Sequence, residues 1–287
     1  MKKLFVLVCC LLTLVGCSKQ PVSTQVVATT LPAYEFTKRL CEGTDIQVTQ
    51  LITENVSCLH DYTLQTKQMQ AVESAQTVVI SGAGLEDFLE DILQKDTIID
   101  ASCDIDLLHE TCSHEHTHGH NHETDPHIWL SPKNAKRMAT NICAGLTETF
   151  PHYKDTFSNN LELLHSDLDQ LQAYGEETLK TLSCRKLITF HDGFSYFAHA
   201  FDLEILKAVE EEAGSETSAA ELIEMINLVQ QQKLPAIFTE TNGSTAAATI
   251  IAKETGVKTY TLDMVMAGDS YFTAMYRNIN TIKEALG

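Results

Sequence analysis

From Pro151 to Leu182 the chain reads PHYKDTFSNNLELLHSDLDQLQAYGEETLKTL. Phe157, Leu161, Leu164, Leu168, Leu171, Gly175, Thr178 and Leu182 recur along it at alternating steps of four and three. That spacing lays one face of an α-helix against a neighbour, and Pro151 suits the first helical turn. The pattern predicts one helix of about 30 residues, ~45 Å long at 1.5 Å per residue. A coiled-coil or bundle helix would keep strong apolar residues along its whole seam, and Gly175 and Thr178 weaken it. Residues 151–182 therefore read as a single long helix linking two domains, one that resists the wide hinge motion a flexible linker allows.

The segments on either side support two domains. Val26 to Thr29 reads as a strand, with a helix beginning near Pro32. A strand over Ile46 to Leu51, a helix from about Tyr62 to Ala75, a strand over Thr77 to Ile80 and a helix over Leu85 to Leu93 follow. Beyond the long helix, strands are expected over Lys186–Phe190, Pro235–Thr239 and Val257–Leu262, and helices near 193–201, 218–232, 244–255 and 270–285. Strands alternating with helices of this length indicate parallel α/β units. The expected organisation is two parallel-sheet α/β lobes, residues 25–150 and 183–287, joined by the long helix. No internal repeat is visible by sequence identity.

The N-terminus suggests an exported, anchored protein. Lys2 and Lys3 precede an apolar stretch of thirteen residues, Leu4 to Gly16. A membrane-spanning helix needs ~20, so the stretch fits a secretory signal, residues 1–16. It ends Leu14-Val15-Gly16-Cys17, which resembles the lipobox of bacterial lipoproteins. In that family the signal is cut before the cysteine, and Cys17 becomes the lipidated N-terminus. Residues 17–24 then form a tether, and the protein is expected outside the cytoplasm, held to the bacterial cell membrane by lipid.

Without residues 1–16 the chain carries 18 basic against 39 acidic residues, a net charge of about −21. An acidic body argues against nucleic-acid binding, which needs basic surface for phosphates. Cys9 and Cys10 leave with the signal. Cys41, Cys58, Cys103, Cys112, Cys143 and Cys184 are scattered, with no C-x-x-C pair. A chain of this size needs no staples to bury a core. Most of the six are expected as small buried hydrophobes, with a Cys103–Cys112 bridge as an open alternative.

The histidines carry the chemistry. His114, His116, His118, His120 and His122 alternate through one run, which ends at Asp125-Pro126-His127-Ile128-Trp129, where His127 stands in an apolar, strand-like context. Imidazole is the commonest side-chain ligand for transition metals. Three further residues combine a ligand atom with a strand end or loop: His60, His191 and Asp263. In open α/β sheets, ligands bind at the carboxyl ends of strands. Two such positions from each half point to a site between the lobes.

Several motifs together make the chain resemble the metal-receptor substrate-binding proteins of ABC importers, which capture zinc or manganese outside the cell. They are His60-Asp61-Tyr62, Ser81-Gly82-Ala83-Gly84-Leu85-Glu86, Asp125-Pro126-His127-Ile128-Trp129-Leu130-Ser131-Pro132, Phe190-His191-Asp192, Phe238-Thr239-Glu240, Glu254-Thr255-Gly256-Val257 and Asp269-Ser270-Tyr271. The resemblance covers residues 25–287. It implies a periplasmic-binding-protein-like fold of the metal-receptor type, with His60, His127, His191 and Asp263 as ligands between the lobes. It also implies a membrane permease as partner and a monomeric receptor. The family usually has proline before its first ligand histidine; here Leu59 stands there, with Cys58 before it as an outside candidate ligand.

Three imidazoles plus a carboxylate or water is a common zinc arrangement, whereas manganese favours more oxygen. Relatives that prefer manganese carry glutamate where this chain has His191. Zn2+ is therefore the expected cargo and Mn2+ the alternative. Asp61 and Asp192 each follow a ligand histidine and are candidates for orienting it. Glu240 is expected to line the cleft. The stretch 109–125, rich in His, Glu, Thr and Asn, reads as a mobile loop whose five alternating histidines gather zinc weakly.

The competing class is a zinc hydrolase, with three histidines, an open coordination position and Glu240 as base. Against it, the histidines come from separate segments and no G-x-S-x-G motif is present. An extracellular adhesin with structural zinc is a third reading.

Overall fold

Val26, Val27 and Ala28 are all fully buried, as a strand covered on both faces must be, and they form the first central strand. The computed structural model describes residues 26–54, 56, 59, 62–89, 92, 98–108, 124–210, 217–241, 243, 245–268 and 270–287. The first lobe contains β1 (Val26–Ala28), α1 (Leu31–Leu40), β2 (Val48–Gln50), α2 (Thr66–Ser74), β3 (Thr77–Ile80), β4 (Ile98–Asp100) and α3 (Pro132–Thr149). After α4 (Lys154–Leu179), the second contains β5 (Lys186–His191), α5 (Ser195–Ala200), β6 (Glu204–Glu210), α6 (Ala219–Gln232), β7 (Ala236–Glu240), α7 (Ala246–Thr255), β8 (Lys258–Leu262) and α8 (Tyr271–Leu286).

Each lobe holds a four-stranded sheet, in the orders β2-β1-β3-β4 and β6-β5-β7-β8, and every pairing is parallel. The two orders are the same topology used twice, although the sequences share no visible repeat. Each order reverses between its first and third strands, where a crevice opens at the carboxyl ends of an open sheet.

Local signals explain where the helices begin. The Thr30 side chain accepts from Ala33 N–H at the start of α1, and Ser131 accepts from Asn134 N–H at the start of α3; both helices have proline in the first turn. Ser218 and Glu221 form a reciprocal capping box on α6, which satisfies two otherwise orphaned N–H groups.

The long helix is real but shorter than its pattern suggests. A 3-10 turn occupies Pro151–Tyr153, and α4 then runs 26 residues, ~39 Å at 1.5 Å per residue. It packs against α1 and α3 of the first lobe and α8 of the second. Phe157, Leu164, Leu168 and Leu171 are fully buried, and so is the weak position Gly175. There the ring of Phe201 lies so close that a Cβ would come within 2.2 Å of it.

Four expectations are corrected. The helix over Leu85–Leu93 is, among the described residues, only a 3-10 turn at Asp87–Leu89. Gly82, Ala83 and Gly84 before it all have positive φ, and the Glu86 carboxylate accepts from Ser81 and Gly82 N–H, so the chain closes a turn here. The helix expected from Tyr62 starts at Thr66, behind a Gln65–Gln68 capping box. The strand over Ile46–Leu51 narrows to Val48–Gln50. The strand-like context of His127 is instead a bend followed by a 3-10 turn over Ile128–Leu130.

Among the cysteines, Cys41 and Cys143 are buried, Cys184 is half-buried and Cys103 is exposed with a free thiol. Cys58 and Cys112 lie outside the described residues, as do Cys17 and the rest of residues 1–25. Among the described residues no helix is long and apolar enough to cross a membrane.

The lobes share one hydrophobic cluster, which runs from β1 through Trp129 to Phe194, Phe197, Met264 and Tyr271. Hydrogen bonds cross with it. Leu31 N–H donates to the Met266 carbonyl at 3.0 Å, and the Tyr271 hydroxyl donates to the Trp129 carbonyl at 2.8 Å. Tyr271 N–H donates to Glu35 Oε2 at 2.6 Å, and burial nonetheless holds the Glu35 carboxyl above its ordinary range.

Candidate metal centre

His191 is the last residue of β5, at the point where its sheet reverses order. The strand ahead of it, Leu187 to Phe190, is buried throughout, so the imidazole sits on a fixed support. His127 reaches the same place from the first lobe, on the bend set by Pro126. Both rings are buried, at 2% and 3% exposure for His127 and His191. Their centroids are 5.3 Å apart and they meet edge to face at 85°. Gly193 makes this approach possible: a Cβ there would come within 2.9 Å of His127 Nδ1, 2.8 Å of His191 Cδ2 and 2.5 Å of Met264 Cε.

Asp125, which sequence reasoning assigned no role, defines the chemistry of His127. Asp125 Oδ1 lies 2.8 Å from His127 Nδ1 and also accepts from His127 N–H at 2.9 Å. An ionised carboxylate can only accept, so Nδ1 carries the proton and the lone pair is on Nε2. His127 Nε2 is buried and has no hydrogen-bond partner among the described residues. Carboxylate, imidazole and an outward lone pair make the arrangement typical of a metal-binding histidine. The signal was present in the sequence as Asp-Pro-His: an acid two residues before the imidazole, with proline turning the chain between them.

The other candidates are placed as follows. Asp263 follows β8 as expected, but its carboxylate has local work: Oδ1 accepts from Val265 N–H at 2.8 Å, and Oδ2 lies 3.5 Å from Arg277 Nη1. Asp263 N–H and C=O are both bound by the Asn278 side chain. The turn it stabilises contains Val265 at φ 61°, a conformation costly for a β-branched residue. Glu240 ends β7 and is buried, with Gly243 folded over its side chain. Asp192 is half-buried behind His191. His60, Asp61 and the five alternating histidines lie outside the described residues. Among the described residues no three His, Cys, Asp or Glu side chains are grouped to hold a metal ion; the structure brings His127 and His191 together and leaves Asp263 in its own turn.

Residues 26–285 match the family described as ZnuA, zinc-uptake complex component A, periplasmic. The chain belongs to the ZnuA family. The match takes in both lobes and α4. The zinc-binding lipoprotein AdcA of Streptococcus pneumoniae is 31% identical over 307 aligned residues, covering 99% of this chain and 61% of that protein. A crystal structure of ZnuA superposes with a TM-score of 0.81 at 29% identity, covering 92% of this chain and 100% of that one. The crystal structure of the Zn(II)-bound ZnuA-like domain of Streptococcus pneumoniae AdcA gives a TM-score of 0.76 at 28% identity, over 92% and 99% of the two chains. This ZnuA-family chain spans 61% of the length of the pneumococcal lipoprotein and 55% of that of the Streptococcus pyogenes AdcA it matches.

Proposed function

We propose that the chain is an extracytoplasmic receptor that captures Zn2+ between its lobes and delivers it to the permease of an ABC importer, anchored to the membrane by lipid on Cys17. The observation that carries this is the buried Nε2 of His127, which has no hydrogen-bond partner among the described residues, its tautomer set by Asp125, beside the buried ring of His191. His60 supplies the third imidazole on this reading. Asp263, Glu240 or water completes four-coordination. A set of three imidazoles suits zinc better than manganese, which favours oxygen ligands. The histidine run gathers zinc without belonging to the tight site.

The hydrolase reading has one motif in its favour. His114-Glu115-His116-Thr117-His118 spells H-E-x-x-H, which in zinc proteases lies on a helix. Here it falls in an alternating polar run with no helical apolar pattern, and membership of a transport family weighs further against it.

Titration of metal-free protein with zinc and manganese, in wild type and in His60→Ala, His127→Ala, His191→Ala and Asp263→Ala, tests the proposal. One tight zinc site is expected, lost in each histidine variant and weakened less by Asp263→Ala. Deleting residues 112–123 should lower stoichiometry and leave the tight site. A tight site indifferent to both His127→Ala and His191→Ala would overturn the proposal.

A further inference from the structure

The residues flanking the histidine run are joined to each other and to the second lobe. Asp125 N–H donates to the Leu108 carbonyl at 2.9 Å. One side chain then bridges both. Tyr196, on α5, accepts from Leu108 N–H at 2.9 Å, and its hydroxyl donates to the Asp125 carbonyl at 3.0 Å. A phenol has a single proton, and an N–H can only donate, so the direction of both bonds is fixed. Burial pushes the phenol up to about 12, which keeps that proton in place at any physiological pH.

Asp125 is thus held through its backbone and one carboxylate oxygen. Its N–H goes to Leu108, its C=O receives Tyr196, and its Oδ1 receives both the backbone and the ring of His127. The residue itself is buried, at 2% exposure, and Tyr196 at 3%. In such an environment polar bonds are strong and their loss is costly. A displacement of the Asp125 backbone would carry the carboxylate with it, and the imidazole would follow.

We propose that Tyr196 is a positioning residue for the metal site: its hydroxyl fastens the two ends of the histidine-rich segment and so holds Asp125 where it orients His127. This rests on the reading of His127 as a zinc ligand. It assigns the second lobe a part in shaping a ligand of the first.

Zinc release into excess chelator, followed by stopped flow, tests this in wild type, Tyr196→Phe, Asp125→Asn, the double variant and His127→Ala, with melting temperatures alongside. Changes behind a metal ligand cost roughly 10–100-fold in affinity, so Tyr196→Phe should speed release about tenfold. The double variant should release no faster than Asp125→Asn alone, because Tyr196 acts through Asp125. A Tyr196→Phe protein that melts lower but releases zinc at the wild-type rate would show a purely structural contact and overturn the proposal. Effects that multiply in the double variant would overturn it too. If His127→Ala loses tight binding while Tyr196→Phe changes nothing, the positioning role fails and the receptor reading stands. If His127→Ala leaves binding intact, both fail.

Discussion

The indole N–H of Trp129 donates to the main-chain carbonyl of Met264 at 2.9 Å. This joins the segment that carries His127 to the turn that carries Asp263. Trp129 is completely buried. Trp129→Phe keeps much of the apolar bulk but leaves the carbonyl without that donor, at a cost of about 1–3 kcal/mol. Urea unfolding should show a midpoint lowered accordingly. An unchanged midpoint would mean that the bond across the lobes adds nothing to stability.

Gly193 offers a direct test of how tightly the two imidazoles are placed. In Gly193→Ala the new methyl meets both rings and the Met264 methyl below 3.0 Å. Met264 can swing aside, but the rings cannot without losing their alignment. Zinc affinity should fall by at least about tenfold, equivalent to 1.4 kcal/mol. Isothermal titration would measure it, and wild-type affinity would show that the rings are free to move.

Gly175→Ala sets two effects against each other. Alanine in a helix is favoured over glycine by about 1 kcal/mol, whereas overpacking a filled core costs about 1–3 kcal/mol. The ring of Phe201 stands 2.2 Å from the new carbon, so overpacking wins and the melting temperature should drop. In the double variant Gly175→Ala, Phe201→Leu part of that loss should return. A stabilised Gly175→Ala would contradict the close packing.

Glu86 predicts a pH dependence. Its carboxylate is buried and accepts from Thr29 Oγ1, Ser81 N–H and Gly82 N–H. Burial outweighs these bonds and raises its pKa from 4.5 to about 7. The folded state therefore holds this proton more tightly than the unfolded chain does. Stability from this group is full below pH 4.5 and is lost as pH rises through about 7. Glu86→Gln should flatten the unfolding free energy over that window, while costing about 1–3 kcal/mol because an amide NH₂ now faces an N–H. Parallel wild-type and variant curves would refute the assignment.

Most of the second lobe could be read from the chain. β5, β7 and β8 lie within a residue of their expected bounds; β5 and β7 are buried along nearly their whole length and leave an almost uninterrupted apolar signal, whereas β8 is mostly exposed. β4 was not legible, since Ile98-Ile99-Asp100 is too short to show a period. β6, with Lys207 between apolar residues, reads equally as surface. α3 did show its period, in Ala135, Met138, Ala139, Ile142, Cys143 and Leu146, yet the alternation of strands and helices drawn from the sequence omits it. At the site, His127 and His191 announce themselves by residue type and strand end. Tyr196 does not, since its role arises from contacts 71 and 88 residues away in the chain; Asp125 stands two residues before His127, and the fold adds that its carboxylate meets the ring. Asp263 stands at its expected strand end; what the sequence does not show is that Oδ1 also accepts from Val265 N–H and Oδ2 lies 3.5 Å from Arg277.

The contact of Phe201 with α4 at Gly175 has a consequence for cargo exchange. A ring seated directly on helix backbone has no side chain between it and the rod, so that joint holds little slack. With α1, α3 and α8 packed along the same rod, both halves are bolted to one spar. A receptor of this construction works as a socket and not as a pair of jaws: on the reading proposed above, zinc is taken up and surrendered by rearranging the rim, while the body keeps its shape.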